Sequence, residues 1–141
     1  KLEIKDTFDV GFFNAYPEDT EFSQGVYKCT NAFSGSLSIF KEKAAVIIMS
    51  AGTEGRGYHS LLWETGAKLY TNAGNNPPFN NLVSGRPFGV FCPNVTRTDV
   101  LHFYPKSTMF HPNFSDLLQA LEGKVGPSPK VAVFPTSIQL F

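Results

Sequence analysis

Apolar residues along the chain gather in short dense runs, each closed by a polar, glycine- or proline-containing stretch. Residues 10–15 (VGFFNA) form such a run and end at Asn-Ala-Tyr-Pro, which reads as a buried strand stopped by a turn. Residues 44–51 give the clearest strand pattern: they are rich in β-branched side chains and carry no polar group before Ser50. Residues 88–92 (FGVFC) predict a third strand, residues 100–104 (VLHFY) a fourth, and residues 130–134 (KVAVF) a last one that ends at Pro135. Between them the spacing turns helical. Phe22, Val26 and Cys29 predict a first helix, capped by Asp19 or Thr20 and with Glu18, Asp19 and Glu21 suited to its positive end. Residues 60–70 predict a second, packing through Leu61, Leu62, Trp63 and Leu69. Residues 114–121 predict a third, with apolar positions at 114, 117, 118 and 121 and Asn113 as cap. Residues 72–81 (NAGNNPPFNN) are a surface loop by composition.

Strands that are apolar on both faces need a layer above and a layer below. Alternation of strands and helices then makes the economical architecture α/β in three layers, a mainly parallel sheet with helices on both faces. A length of 141 residues and a hydrophobic content of 42% suit one domain with an ordinary core. The formal net charge is zero, which leaves no basic excess for nucleic acid. No apolar run approaches the roughly 20 residues of a membrane span. Cys29 and Cys92 lie far apart without a CxxC, and read as the reduced thiols of a cytoplasmic protein. The chain begins at Lys1 and runs almost directly into a strand, which suggests a piece of a longer protein.

Open parallel sheets bind ligands at the carboxyl ends of their strands. Here those ends offer Asn14 to Asp19, Gly52 to Gly57, Pro93-Asn94 and Pro135 to Ser137. In the second, Gly52, Gly55 and Gly57 permit close approach of backbone to a ligand, and Glu54 and Arg56 supply polar reach. The spacing is GxxGxG, which is neither the dinucleotide fingerprint nor a P-loop, and the same glycines also serve a plain strand-to-helix turn. Gln24 and Lys28 lie four apart on the first helix and share a face, where both can donate to a carboxylate or hydroxyl. His59, His102 and His111 form no metal-binding spacing, and no GxSxG elbow exists. No catalytic acid–base pair, activated nucleophile or metal cluster is legible in this chain.

The order NAYPEDTEFSQ, then a helix, then AAVIIMSAGTEGRGYH, then FGVFCPN, a closing helix and KVAVFPTSIQL resembles the C-terminal domain of the nickel-dependent lactate racemase family. The resemblance spans about residues 9 to 140. It implies that the 141 residues are one α/β domain of a longer two-domain enzyme that racemises or epimerises lactate or a related 2-hydroxy acid. The resemblance implies a nickel pincer nucleotide as cofactor, with its lysine, nickel-ligating histidine and histidine bases on a missing N-terminal domain, so that neither the catalytic residues nor the nickel ligands belong to this chain. It implies that the C-terminal domain closes the cleft and lends it a glutamine and a lysine. Gln24 falls on the glutamine position. The family's lysine follows three residues later, where this chain has Tyr27, and Lys28 comes one further on. Asn14, Tyr16, Gly52, Glu54, Gly55, Arg56 and Gly57 are the expected cleft-facing loop residues. The alternative is a stand-alone α/β module that binds a nucleotide or phosphate ligand without catalysis.

Overall fold

The structure, a computed structural model, describes residue 4, residues 6–57 and residues 81–137. The helix expected over residues 60–70, most of the loop at 72–81, Tyr58 and His59 lie outside the described residues. The elements are β1 (Phe8–Asn14), α1 (Phe22–Gly35), a 3-10 turn (Leu37–Ile39), β2 (Phe40–Met49), β3 (Phe88–Phe91), α2 (Arg97–Phe103), β4 (Met109–Phe110), α3 (Phe114–Val125) and β5 (Val131–Phe134). The five strands form one sheet in the order β4-β3-β2-β1-β5, and every pairing is parallel.

Alternation along the central strands builds the two cores. Phe13, Val46, Ile48 and Val90 point to one face, where α1 lays down Phe22, Val26, Cys29 and Phe33, and α2 adds Val100 and Phe103. Val10, Phe12, Ala45 and Ile47 point to the other face and meet Leu117 and Leu121 of α3. Helices therefore cover both sides of the sheet, as strands buried on both faces require. Each large side chain so buried contributes about 1.5–3 kcal/mol. Aromatic rings knit the first core: Phe13 stacks on Phe134 at 4.6 Å and meets the edge of Phe33 at 5.6 Å.

Two local expectations are corrected. Residues 100–104 are not a strand; they fall in α2 and its end. Thr96 and Asp99 form a reciprocal capping box, with Asp99 N–H donating to Thr96 Oγ1 (3.3 Å) and Thr96 N–H to Asp99 Oδ2 (2.8 Å). That box nucleates a turn in which Val100 and Phe103, three apart, both face inward. The fourth strand is instead the two-residue β4, too short to show an alternation. The second correction concerns the start of α1. Neither Asp19 nor Thr20 caps it; Glu21 occupies the cap position, with no side-chain hydrogen bond to the helix. By contrast Asn113 caps α3 as its sequence suggests, its Oδ1 accepting from Ser115 N–H at 2.8 Å.

At the amino end of the sheet, the Asp9 carboxylate ties three strands together. It accepts from Lys41 Nζ at 2.6 Å and from the Lys130 backbone N–H at 2.9 Å. These hydrogen bonds, that to Lys41 foremost, hold its pKa below the ordinary carboxylate value. A carboxylate whose folded pKa is depressed stabilises fully above its unfolded value, and the benefit is lost as pH falls through the folded value. Asp9→Asn is therefore expected to lower the urea midpoint at pH 7 and to flatten its fall between pH 5 and pH 2. Midpoints that match wild type across that range would show that the tie contributes nothing.

Candidate functional site at the carboxyl end of the central strands

Chain order and sheet order diverge at β1. The chain runs from β1 through β4 toward one edge, and β5 then returns to pair on the other side of β1. The helix α1 that leaves β1 lies on one face and the helix α3 that enters β5 on the other. The carboxyl ends of β1 and β5 thus flank a topological switch point, the place where open α/β sheets form a ligand crevice. The loops meet there. Ser137 N–H donates to Tyr16 O at 2.9 Å, Thr136 Oγ1 to the same carbonyl at 3.0 Å, and Ser137 Oγ to Ala15 O at 2.9 Å. Asn14 closes the turn by accepting from Tyr16 N–H at 3.2 Å. Tyr16 and Pro17 are left exposed on this rim.

The glycine loop after β2 packs its backbone against the start of α1. Its carbonyls cap α1: Phe22 N–H donates to Gly55 O (3.0 Å) and Ser23 N–H to Arg56 O (3.1 Å). In return Gly52 N–H donates to Asp19 O (2.7 Å) and Glu54 N–H to Thr20 O (2.8 Å), while Gly55 N–H turns inward to Gly52 O (2.8 Å). Orphan donors of the helix start are satisfied by backbone from the neighbouring strand end, which is why no side-chain cap is needed. The amides of Gly52, Glu54 and Gly55 are spent in this exchange, so a phosphate would find none of them free. Glu54 is exposed, Arg56 is half-buried and Gly57 is packed against Glu21. Gly52, Gly55 and Gly57 all have positive φ (55°, 71° and 76°). Asn94, beyond β3, braces the same loop by donating Nδ2 to Ala51 O at 2.8 Å.

This exchange sets the position of α1 and hence of its outer face. Gln24 and Lys28 are both half-buried and converge on one atom: Gln24 Nε2 donates to Glu18 Oε2 at 2.6 Å, and Lys28 Nζ lies 3.0 Å from the same oxygen. Tyr27, at the place of the family's lysine, is 46% exposed and takes no part in that convergence. A lysine four residues after the glutamine therefore reaches the spot shared with it, and the one-residue offset does not remove Lys28 from the face. Hydrogen bonding to Lys28 first, and to Gln24 second, holds the Glu18 carboxyl below its ordinary pKa. Glu18 is the residue sequence reasoning missed. It reads there only as one of three acids before a helix, and its true partners lie in the first and second turns of that helix.

The two thiols are structural. Cys29 donates to Phe13 O at 3.2 Å, and burial pushes its pKa up to about 12; burial likewise raises Cys92 to about 11. Thiolate is the reactive form. Both are expected to resist iodoacetamide in the native protein at pH 8 and to react in full once the chain is unfolded in guanidinium. Stoichiometric labelling of the folded protein, counted by mass spectrometry, would contradict the burial described for both.

A nickel pincer nucleotide finds no fit among the described residues. No group of three His, Cys, Asp or Glu is placed to hold a metal ion among them, and both cysteines are buried as protonated thiols. No helix among the described residues is long and apolar enough to cross a membrane.

The fold so described is a three-layer α/β domain with an all-parallel sheet. It is shared by a solved structure of the lactate racemase apoprotein from Thermoanaerobacterium thermosaccharolyticum, with a TM-score of 0.64 and 12% sequence identity. The superposition covers 96% of this chain and 36% of that one, so the chain spans about a third of the protein it matches. No protein-family model matches the chain, and no curated protein matches it.

Proposed function

We propose that this chain is the C-terminal domain of a two-domain racemase or epimerase of lactate or a related 2-hydroxy acid, with Gln24 and Lys28 as its substrate contacts. The observation that carries the reading is the convergence of an amide donor and an ammonium of α1 on one carboxylate oxygen of the loop that leaves β1. A site built to hold a carboxylate needs such a pair: charge-assisted hydrogen bonds are the strong ones, and two donors from one helix fix the anion's direction. The likeness of fold to a lactate racemase supports the same reading. In it, hydride chemistry belongs to a nickel pincer cofactor on the N-terminal domain. This chain binds and orients the acid, and its rim at Asn14, Tyr16, Glu54 and Arg56 closes the cleft.

The reading is tested by NMR titration of the isotope-labelled chain with D- and L-lactate. The Gln24 side-chain amide and the Lys28 ammonium-bearing carbon are expected to shift together and to saturate with one affinity. Shifts confined to other parts of the surface, with Gln24 and Lys28 unmoved, would overturn the assignment of the contacts.

A further inference from the structure

Two donors that meet on a single oxygen are already engaged. Any external carboxylate that takes hydrogen bonds from Gln24 Nε2 and Lys28 Nζ must share them with Glu18 or replace it. Glu18 lies in the loop leaving β1, Gln24 and Lys28 on α1, and the loop's backbone is fixed at both ends. Glu18 N–H donates to Ala15 O at 3.0 Å, and the carbonyls of Asp19 and Thr20 are held by the glycine loop. The side chain is the movable part. It is about two-fifths exposed, and Lys28 about one-third, so water screens the pair. A solvent-screened surface contact of this kind is weak enough for a bound ligand to displace.

From this we infer that Glu18 is an internal carboxylate ligand of the Gln24–Lys28 donor pair, competing with external carboxylates and so setting the charge selectivity of the site. The inference rests on the reading of Gln24 and Lys28 as ligand contacts. Glu18 acts in two ways. It occupies both donors, and its negative charge repels an anion that approaches them. A neutral ligand of the same shape feels only the first effect, and weakly, because its carbonyl competes for hydrogen bonds but not for charge.

The test is calorimetric titration of the whole 141-residue chain with sodium L-lactate and with its uncharged amide, lactamide. Glu18→Gln keeps the size and polarity of the side chain and removes the charge. A unit charge about 4 Å away in water corresponds to about a fivefold change in affinity. Glu18→Gln is expected to bind lactate about fivefold more tightly than wild type, with lactamide affinity unchanged within about twofold. Glu18→Ala is expected to shift lactate in the same direction, with circular dichroism confirming that each variant folds. Unchanged, weaker or unmeasurable lactate binding in both variants would overturn the inference, as would an equal gain for lactamide. The readout does not depend on turnover. A gain in lactate affinity in this chain, alongside a joined two-domain protein that racemises no 2-hydroxy acid, would remove the proposed reaction and leave this competition standing; racemisation by the joined protein without the gain would do the reverse.

Discussion

Gly52→Ala is expected to destabilise the domain by about 3 kcal/mol, while Gly55→Ala, three residues away, costs about 1 kcal/mol. Both glycines have positive φ, 55° and 71°, so each substitution carries the left-handed penalty of roughly 1–2 kcal/mol. They differ in surroundings. A Cβ on Gly52 would lie 2.5 Å from the Sγ of Cys92, a fully buried side chain, whereas a Cβ on Gly55 meets nothing nearer than Asn94 O at 3.9 Å. Overpacking of this kind adds about 1–3 kcal/mol. Gly52 also donates to Asp19 O, so any shift that relieves the clash pulls on the start of α1. Urea denaturation of the two variants separates these contributions, and Cys92→Ala provides a double-mutant check. In that background the added cost of Gly52→Ala should fall to the level seen for Gly55→Ala. Equal losses for the two single variants would mean that backbone conformation alone governs the loop.

If the chain is part of the proposed two-domain racemase, Gln24→Ala and Lys28→Ala are each expected to slow its turnover by about ten- to a hundredfold. A hydrogen bond to a charged partner is worth about 1.5–3 kcal/mol, which has that size in rate when the contact is made in the transition state. Counting residues from the glutamine alone would favour a larger loss for Gln24, since Lys28 is one place later than the family's lysine. The structure argues for comparable losses, because both side chains reach the same oxygen of Glu18, at 2.6 Å and 3.0 Å. Tyr27→Lys, which restores the family's spacing on a side chain that takes no part in that convergence, is expected not to rescue Lys28→Ala. Rescue would place the ligand nearer Tyr27 than Lys28.

The layers of the fold were legible because buried strands and helices advertise different periods. Residues 44–51 and 114–121 show them without ambiguity, and β2 and α3 follow. The reading failed where the period was too short to register. Val100, His102, Phe103 and Tyr104 make an apolar cluster that suits a strand or a helical turn equally, and the Thr96-x-x-Asp99 capping box decides for the helix. The site was half legible. Gln24 and Lys28 share a face by spacing alone. The carboxylate they share was not readable, because Glu18 approaches from a loop whose path is set by contacts with the glycine loop about 30 residues further along the chain. The same tertiary exchange explains the misplaced cap. Asp19 and Thr20 are good capping residues, yet Gly55 O and Arg56 O reach the free amides of α1 first.

The most direct measurement is optical rotation of D-lactate over time, with this chain alone and with the chain joined to the proposed cofactor-bearing N-terminal domain. The chain alone should leave the rotation unchanged, and the joined protein should let it decay toward zero, more slowly with Gln24→Ala. Racemisation by the 141-residue chain without a partner would contradict the division of labour. A joined, nickel-loaded protein that leaves the rotation of lactate and of related 2-hydroxy acids constant would contradict the proposed function.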